Sequence, residues 1–173
     1  MAFLMRRRRL LCGIMLGMMP APAHAGLNEY ELKAAYISQI AKFVEWPPSN
    51  APLRLCVVGG NPFGEALETI RGKPVNERKI EIRLLDMRAD IHECAMLFVA
   101  TPAERHLERI VALSRGTGML TMGDTEGFAQ RGAMLNFFPE QGKLRFEINL
   151  EAARHGGVRI SSKLLSLARI VEP

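Results

Sequence analysis

Asn28 to Glu45 carries two rows of apolar or small residues spaced by three and four, Leu32, Ala35, Tyr36, Ile40, Phe43 and Ala34, Ile37, Ala41, Val44. That period predicts an amphipathic helix with a broad apolar face and a narrow polar strip through Ser38, Lys42 and Glu45. Asn28 is placed to cap its start, and Pro47-Pro48 to stop it just after Trp46. So broad a face needs more than one neighbour. Part of it, near Tyr36 to Val44, or the C-terminal helix near Leu164 to Leu167, is expected to pack in a homodimer.

Beyond this helix the period changes. Leu53 to Gly59 is a Leu- and Val-rich run ending at Gly59-Gly60, a buried strand feeding a turn, and Pro62 to Arg71 fits a short helix with proline in its first turn. Lys79 to Leu85 alternates Lys79, Glu81, Arg83 with Ile80, Ile82, Leu84, the period of a half-exposed strand. Cys94 to Ala100 is continuously apolar, as in a central strand covered on both faces. Thr101, Pro102 and Glu104 read as the cap, first turn and capping box of a helix reaching Ser114. Met119 to Met122 is a further strand, followed by Asp124 capping a turn through Phe128. Ala133 to Phe138 and Lys143 to Leu150 form a hairpin across Pro139-Glu140-Gln141-Gly142. Ser161 to Val171 reads as a closing amphipathic helix. Alternating strands and helices followed by a hairpin predict an α/β fold: a three-layer sandwich with a mainly parallel sheet and an antiparallel C-terminal edge hairpin.

The first 25 residues follow another pattern. Arg6 to Arg9 precede an apolar run from Leu10 to Met19, Pro20 breaks it, and Ala23-His24-Ala25 ends it, the layout of a secretory signal peptide cleaved after Ala25. A transmembrane anchor needs about 20 apolar residues, and this run supplies roughly half. Lipid attachment at Cys12 would need small residues before it, and a twin-arginine route would need a polar context that is missing. The protein is therefore expected in the periplasm, with residues 26–173 as one domain.

Charge follows from that division. Without Arg6 to Arg9, the 23 lysines and arginines become 19, against 18 acidic residues. The basic balance belongs to the export signal, which removes the electrostatic case for a nucleic-acid partner. Cys56 and Cys94 remain, an even number in an oxidising compartment, and read as one disulfide. Two free thiols, or a metal pair assisted by His92, are the alternatives, though two thiolates and one histidine make a poor structural zinc site.

Catalytic motifs are weak. Gly59-Gly60-Asn61-Pro62-Phe63-Gly64 lies where a dinucleotide loop would, but Asn61 stands where the fingerprint needs glycine. A turn is the simpler role. His92, His106 and His155 show no metal-binding spacing, and Ser161-Ser162-Lys163 suits a helix cap better than a nucleophile. Asp124, Glu126, Glu147 and Glu151 could in principle pair for acid and base work, but Glu147 alternating with Arg145, and Glu151 after it, read as the decoration of a solvated face; Tyr36, Phe43 and Trp46 read as core. No enzyme, cofactor or metal is expected.

Ordered along the chain stand Glu31-Leu32-Lys33-Ala34-Ala35-Tyr36, Phe43-Val44-Glu45-Trp46-Pro47, Cys56-Val57-Val58-Gly59 and Asn61-Pro62-Phe63-Gly64. Cys94 comes next, then Thr121-Met122-Gly123-Asp124 with Phe128, Gly132-Ala133-Met134-Leu135-Asn136-Phe137, Arg145-Phe146-Glu147-Ile148-Asn149 and Ile160-Ser161-Ser162-Lys163-Leu164-Leu165. This series, from Glu31 to Ala168, resembles the YfiR family of periplasmic regulatory proteins. The resemblance implies an α/β sandwich, dimerisation and a regulatory role: repression of a membrane-bound diguanylate cyclase through its periplasmic sensor domain, lowering cyclic di-GMP and biofilm formation. It matches Cys56 and Cys94 to the family's first cysteine pair. The second pair of some relatives is missing here, which leaves any redox control that depends on it in doubt.

Two functional classes follow. In the first, an interaction module engages the periplasmic domain of an inner-membrane diguanylate cyclase or sensor kinase through Glu151, Val158, Ile160 and Leu164, which place a carboxylate beside apolar side chains. In the second, a periplasmic small-molecule binding or sensor protein holds its ligand at the strand ends near Gly60, Asn61 and Asp124.

Overall fold

The computed structural model describes residues 28–172. The signal segment Met1 to Ala25, its cleavage site and Cys12 lie outside the described residues. Helix α1, Glu29–Ile40, starts from a capping box: Asn28 Oδ1 accepts the Glu31 N–H at 2.9 Å and the Glu31 carboxylate accepts the Asn28 N–H at 3.0 Å. It ends earlier than its periodicity predicts. A 3-10 turn, Ala41–Phe43, leads into β1, Val44–Glu45, which pairs antiparallel with β9, Arg159–Ile160. Trp46 closes this exit by donating its indole N–H to the Ala41 carbonyl at 2.8 Å. Extended backbone suits the β-branched Val44, and a tertiary partner outweighs the helical period.

The predicted polar strip of α1 is also revised. Ser38 is buried, its hydroxyl donating to the Ala35 carbonyl at 2.9 Å, and Lys33 is buried as well. The apolar face is consumed within the monomer. Ala34, Ile37 and Ile40 enter the core, while the Tyr36 ring meets Phe137 and Phe146 edge-on at 6.4 and 6.2 Å. The stretch from Tyr36 to Val44 therefore leaves no broad face for the expected homodimer contact.

Eight strands form the main sheet. In chain order they are β2 Leu53–Val58, β3 Pro74–Val75, β4 Arg78–Leu85, β5 Met96–Val99, β6 Leu120–Gly123, β7 Leu135–Glu140, β8 Lys143–Asn149 and β10 Arg169–Val171. Their spatial order is β10-β8-β7-β6-β5-β2-β4-β3. Neighbours are parallel except β7 with β8 and β3 with β4. The fold is thus α/β, with a mixed and mainly parallel sheet.

Alternation along the central strands builds two cores. Leu55, Val57, Met96 and Phe98 face α1 and a 3-10 helix, Gly64–Thr69, where the sequence predicts an α-helix. Cys56, Val58, Leu97 and Val99 face helix α2, Leu107–Ser114, and Phe128 on the other side. Covering both faces explains why these strands are apolar throughout but for Arg54, which pairs with Glu81 and Glu93. Each large side chain so buried contributes about 1.5–3 kcal/mol.

Local chemistry places several boundaries differently. Thr101 and Glu104 make no capping box: a 3-10 segment, Thr101–His106, precedes α2 without a side-chain cap, and Glu104 pairs with Arg131 at 2.6 Å. The first hairpin strand reaches Glu140 where the sequence predicts Phe138, leaving only Gln141-Gly142 before β8, with φ of 50° and 72°. Two consecutive left-handed residues are what a type I′ hairpin turn requires. Helix α3, Leu150–Gly156, follows β8 directly, capped by Asn149, whose side chain accepts the Ala152 N–H at 2.8 Å. The predicted closing helix is a single turn, α4 Ser162–Leu165, after which β10 lies parallel to β8, outside the hairpin.

Candidate functional site

The proposed ligand residues do not assemble into one site. Gly60 and Asn61 are exposed, and Asn61 satisfies itself locally, accepting the Phe63 N–H and donating to the Gly64 carbonyl, both at 3.1 Å. The glycine-rich turn has a packing reason: at Gly59, with φ of 93°, an added Cβ would stand 2.6 Å from the Ala103 Cβ. Asp124 caps no helical turn. Instead the start of α1 lies over the carboxyl ends of the central strands, where Tyr30 joins Phe63, 5.2 Å between centroids, to Asp124.

That contact belongs to a buried network. Lys33 Nζ and the Tyr30 hydroxyl both donate to Asp124 Oδ2, at 2.7 and 3.0 Å, and Lys33 also pairs with Glu29 at 2.5 Å. The ammonium stands 4.2 Å from the Tyr30 ring centroid. Burial first, then the Asp124 charge and hydrogen bond, push the Tyr30 phenol up to about 12, with Glu29 adding to the shift. A raised folded value means that this contribution is intact below pH ~10 and is lost as pH rises towards 12. In ultraviolet titration, the phenolate signal that disappears in Tyr30→Phe is expected to have a midpoint near 12; a midpoint near 10 would mean that the network is open in solution.

The candidate partner residues divide. Val158 and Leu164, 5% and 3% exposed, seal the core under α1 and cannot anchor a partner. Ile160 is half-buried in β9 opposite Val44. Glu151 alone is exposed, in the first turn of α3, and shares a hollow with Leu150, Ile170 and Val171. Leu150, Leu167 and Ile170 are exposed, and β10 is the outermost strand at this end of the sheet. A strand edge with unpaired backbone groups, exposed apolar side chains and a nearby carboxylate can take a protein segment. The predicted helix over Ser161 to Val171 hid this edge, because a helix satisfies its backbone internally.

Cys56 and Cys94 are bonded, with their Cα atoms 5.8 Å apart, joining β2 to the turn before β5 inside the α2-side core. Among the described residues no three His, Cys, Asp or Glu side chains converge as a metal site.

A family model described as YfiR/HmsC-like matches residues 30–169. The chain belongs to the YfiR/HmsC-like family. Its fold is also found in two solved structures of low identity. One is a conserved domain protein from Vibrio cholerae O1 biovar El Tor, at 15% identity and a TM-score of 0.59, covering 84% of this chain and 60% of that one. The other is an ABC domain from Streptococcus pneumoniae in complex with L-Trp, at 10% identity and a TM-score of 0.52, covering 82% and 62% respectively. This chain therefore spans about three fifths of the length of either, and the likeness concerns the fold. No helix among the described residues of this YfiR/HmsC-like chain is long and apolar enough to cross a membrane.

Proposed function

We propose that this protein is a periplasmic regulator that represses an inner-membrane signalling enzyme, a diguanylate cyclase, by binding its periplasmic sensor domain, so lowering cyclic di-GMP and biofilm formation. Membership of the YfiR/HmsC-like family supports the regulatory class. The observation that carries the binding surface is the exposed set Leu150, Glu151 and Ile170 beside the open β10 edge. Apolar anchors rimmed by charge suit a protein partner, and the edge can add main-chain hydrogen bonds. Leu167, exposed beyond α4, is where we place self-association.

The test is in cells. Glu151→Lys and Ile170→Asp each change an exposed side chain and should leave the periplasmic protein folded. Each is expected to weaken the complex by about 2 kcal/mol, roughly thirtyfold in affinity, and to raise cyclic di-GMP. Capture of the cyclase from detergent-solubilised membranes by the wild type, and its loss with the variants, would support the reading. Unchanged cyclic di-GMP with both folded variants would move the surface elsewhere.

A further inference from the structure

Gly123, Asn136, Glu147 and Arg169 stand side by side across β6, β7, β8 and β10, in register from strand to strand. Beside this row, on the α2 side of the sheet, lies a cavity of about 510 Å³ whose wall includes Asp124, Glu126, Asn136, Phe138, Glu147 and Arg169. Its volume falls in the range of about 300–1,000 Å³ common for small-molecule sites.

Glu147 is the unusual member. The residue is only 5% exposed, yet its carboxylate receives a single side-chain hydrogen bond, from Asn136 Nδ2 at 3.2 Å. The cation next to it in register is directed elsewhere: Arg169 pairs with Glu140 and lies over the Phe138 ring, 4.2 Å from the centroid. No lysine or arginine among the described residues comes within 4.0 Å of the Glu147 carboxylate. A carboxylate with so little access to water favours a compensating charge or further donors. Its neighbour in the wall is short of a donor too, since Asn136 Oδ1 is buried without a hydrogen-bond partner. The deficit is therefore one of donors and positive charge. Hard divalent cations need six to eight converging oxygens, and no metal-binding cluster forms among the described residues. An ammonium group brings one positive charge and three donors.

We propose that this cavity binds a small organic cation, a primary alkylamine, with its ammonium on Glu147 beside Asn136. Phe138, Pro139 and Gly127 line the space left for its carbon chain. Arg169 of β10 stands in the cavity wall, but Leu150, Glu151 and Ile170 do not, so failure of this site would leave the regulatory reading untouched.

The experiment is calorimetric titration of the purified protein at low salt with n-butylamine and 1,4-diaminobutane, against n-butanol, butyrate and calcium chloride. Saturable binding of the amines alone is expected. Glu147→Gln keeps the side-chain shape, removes the uncompensated charge, and is expected to weaken amine binding at least about tenfold while raising the melting temperature of the unliganded protein. Gln130→Trp, at an exposed position of the wall, is expected to block the cavity without disturbing the core. Absence of saturable amine binding in the wild type, equal binding by Glu147→Gln and Gln130→Trp, or binding of butyrate or calcium in place of the amine would each overturn the proposal. Amine binding that appears only in Arg169→Gln would overturn it as well, since Arg169 would then be the occupant of the site.

Discussion

Lys33→Met is expected to destabilise the protein by about 3–5 kcal/mol, because it leaves the Asp124 carboxylate buried without its cation. The side chains of the pair are 3% and 6% exposed, so water cannot take over solvation of the remaining charge. Tyr30 would still donate one hydrogen bond to Oδ2, while Oδ1 has no donor even in the wild type. The cost reflects an orphaned charge more than the worth of the pair. The double variant Lys33→Met/Asp124→Leu should therefore recover most of the loss, since an apolar replacement of a buried ion pair is often neutral or stabilising. Guanidinium unfolding of the four proteins at pH 7 gives the coupling directly. If Lys33→Met and Asp124→Leu turn out additive, the pair is not coupled in solution and Asp124 is hydrated.

Removing the disulfide is the second large effect. Cys56 and Cys94 close a loop with a sequence separation of 38 residues, and the chain-entropy model assigns such a crosslink about 4 kcal/mol. Both sulfurs sit in the α2-side core, so the test variant is Cys56→Ala/Cys94→Ala, which leaves no buried polar group behind. Its unfolding midpoint in denaturant should fall. Its denaturant slope should rise, because the unfolded chain loses the tether and exposes more surface. Denatured, unreduced protein lacking Met1 to Ala25 is expected to show no reactive thiol. Two reactive thiols would overturn the bond in the purified protein. With one pair in place, reduction should act chiefly through stability, for which comparison of reduced wild type with the alanine variant is the control.

The strands that sequence located best are those buried on both faces. Met96 to Val99, and Leu53 to Val58 apart from the ion-paired Arg54, read correctly because a doubly covered parallel strand is apolar on both faces, a demand visible without knowing its neighbours. Asn28 likewise announced its helix, since a capping box closes within four residues. The Cys56–Cys94 bond could be anticipated from parity and compartment. The family was legible in a series of short motifs whose order, more than any single member, carried the resemblance.

What the chain could not disclose are the features that exist only between distant segments. Ser161 to Val171 has helical spacing, but Arg169 to Val171 gain a parallel partner in β8, and that ladder outweighs a marginal helix. Val158 and Leu164 looked like interface anchors because an apolar side chain reads alike whether it faces a partner or its own core; packing under α1 decides for the core. Lys33 and Asp124 are 91 residues apart in sequence and meet because α1 lies across the strand ends. Glu147 reads as a surface residue from its alternation with Arg145, yet the cover of loop and edge strand buries it. Local sequence determined where segments bend, cap and extend, since those energies act over a few residues. Only the tertiary structure decided which charges are buried, which are paired, and which strand edge stays open, because these depend on partners brought together by the whole fold.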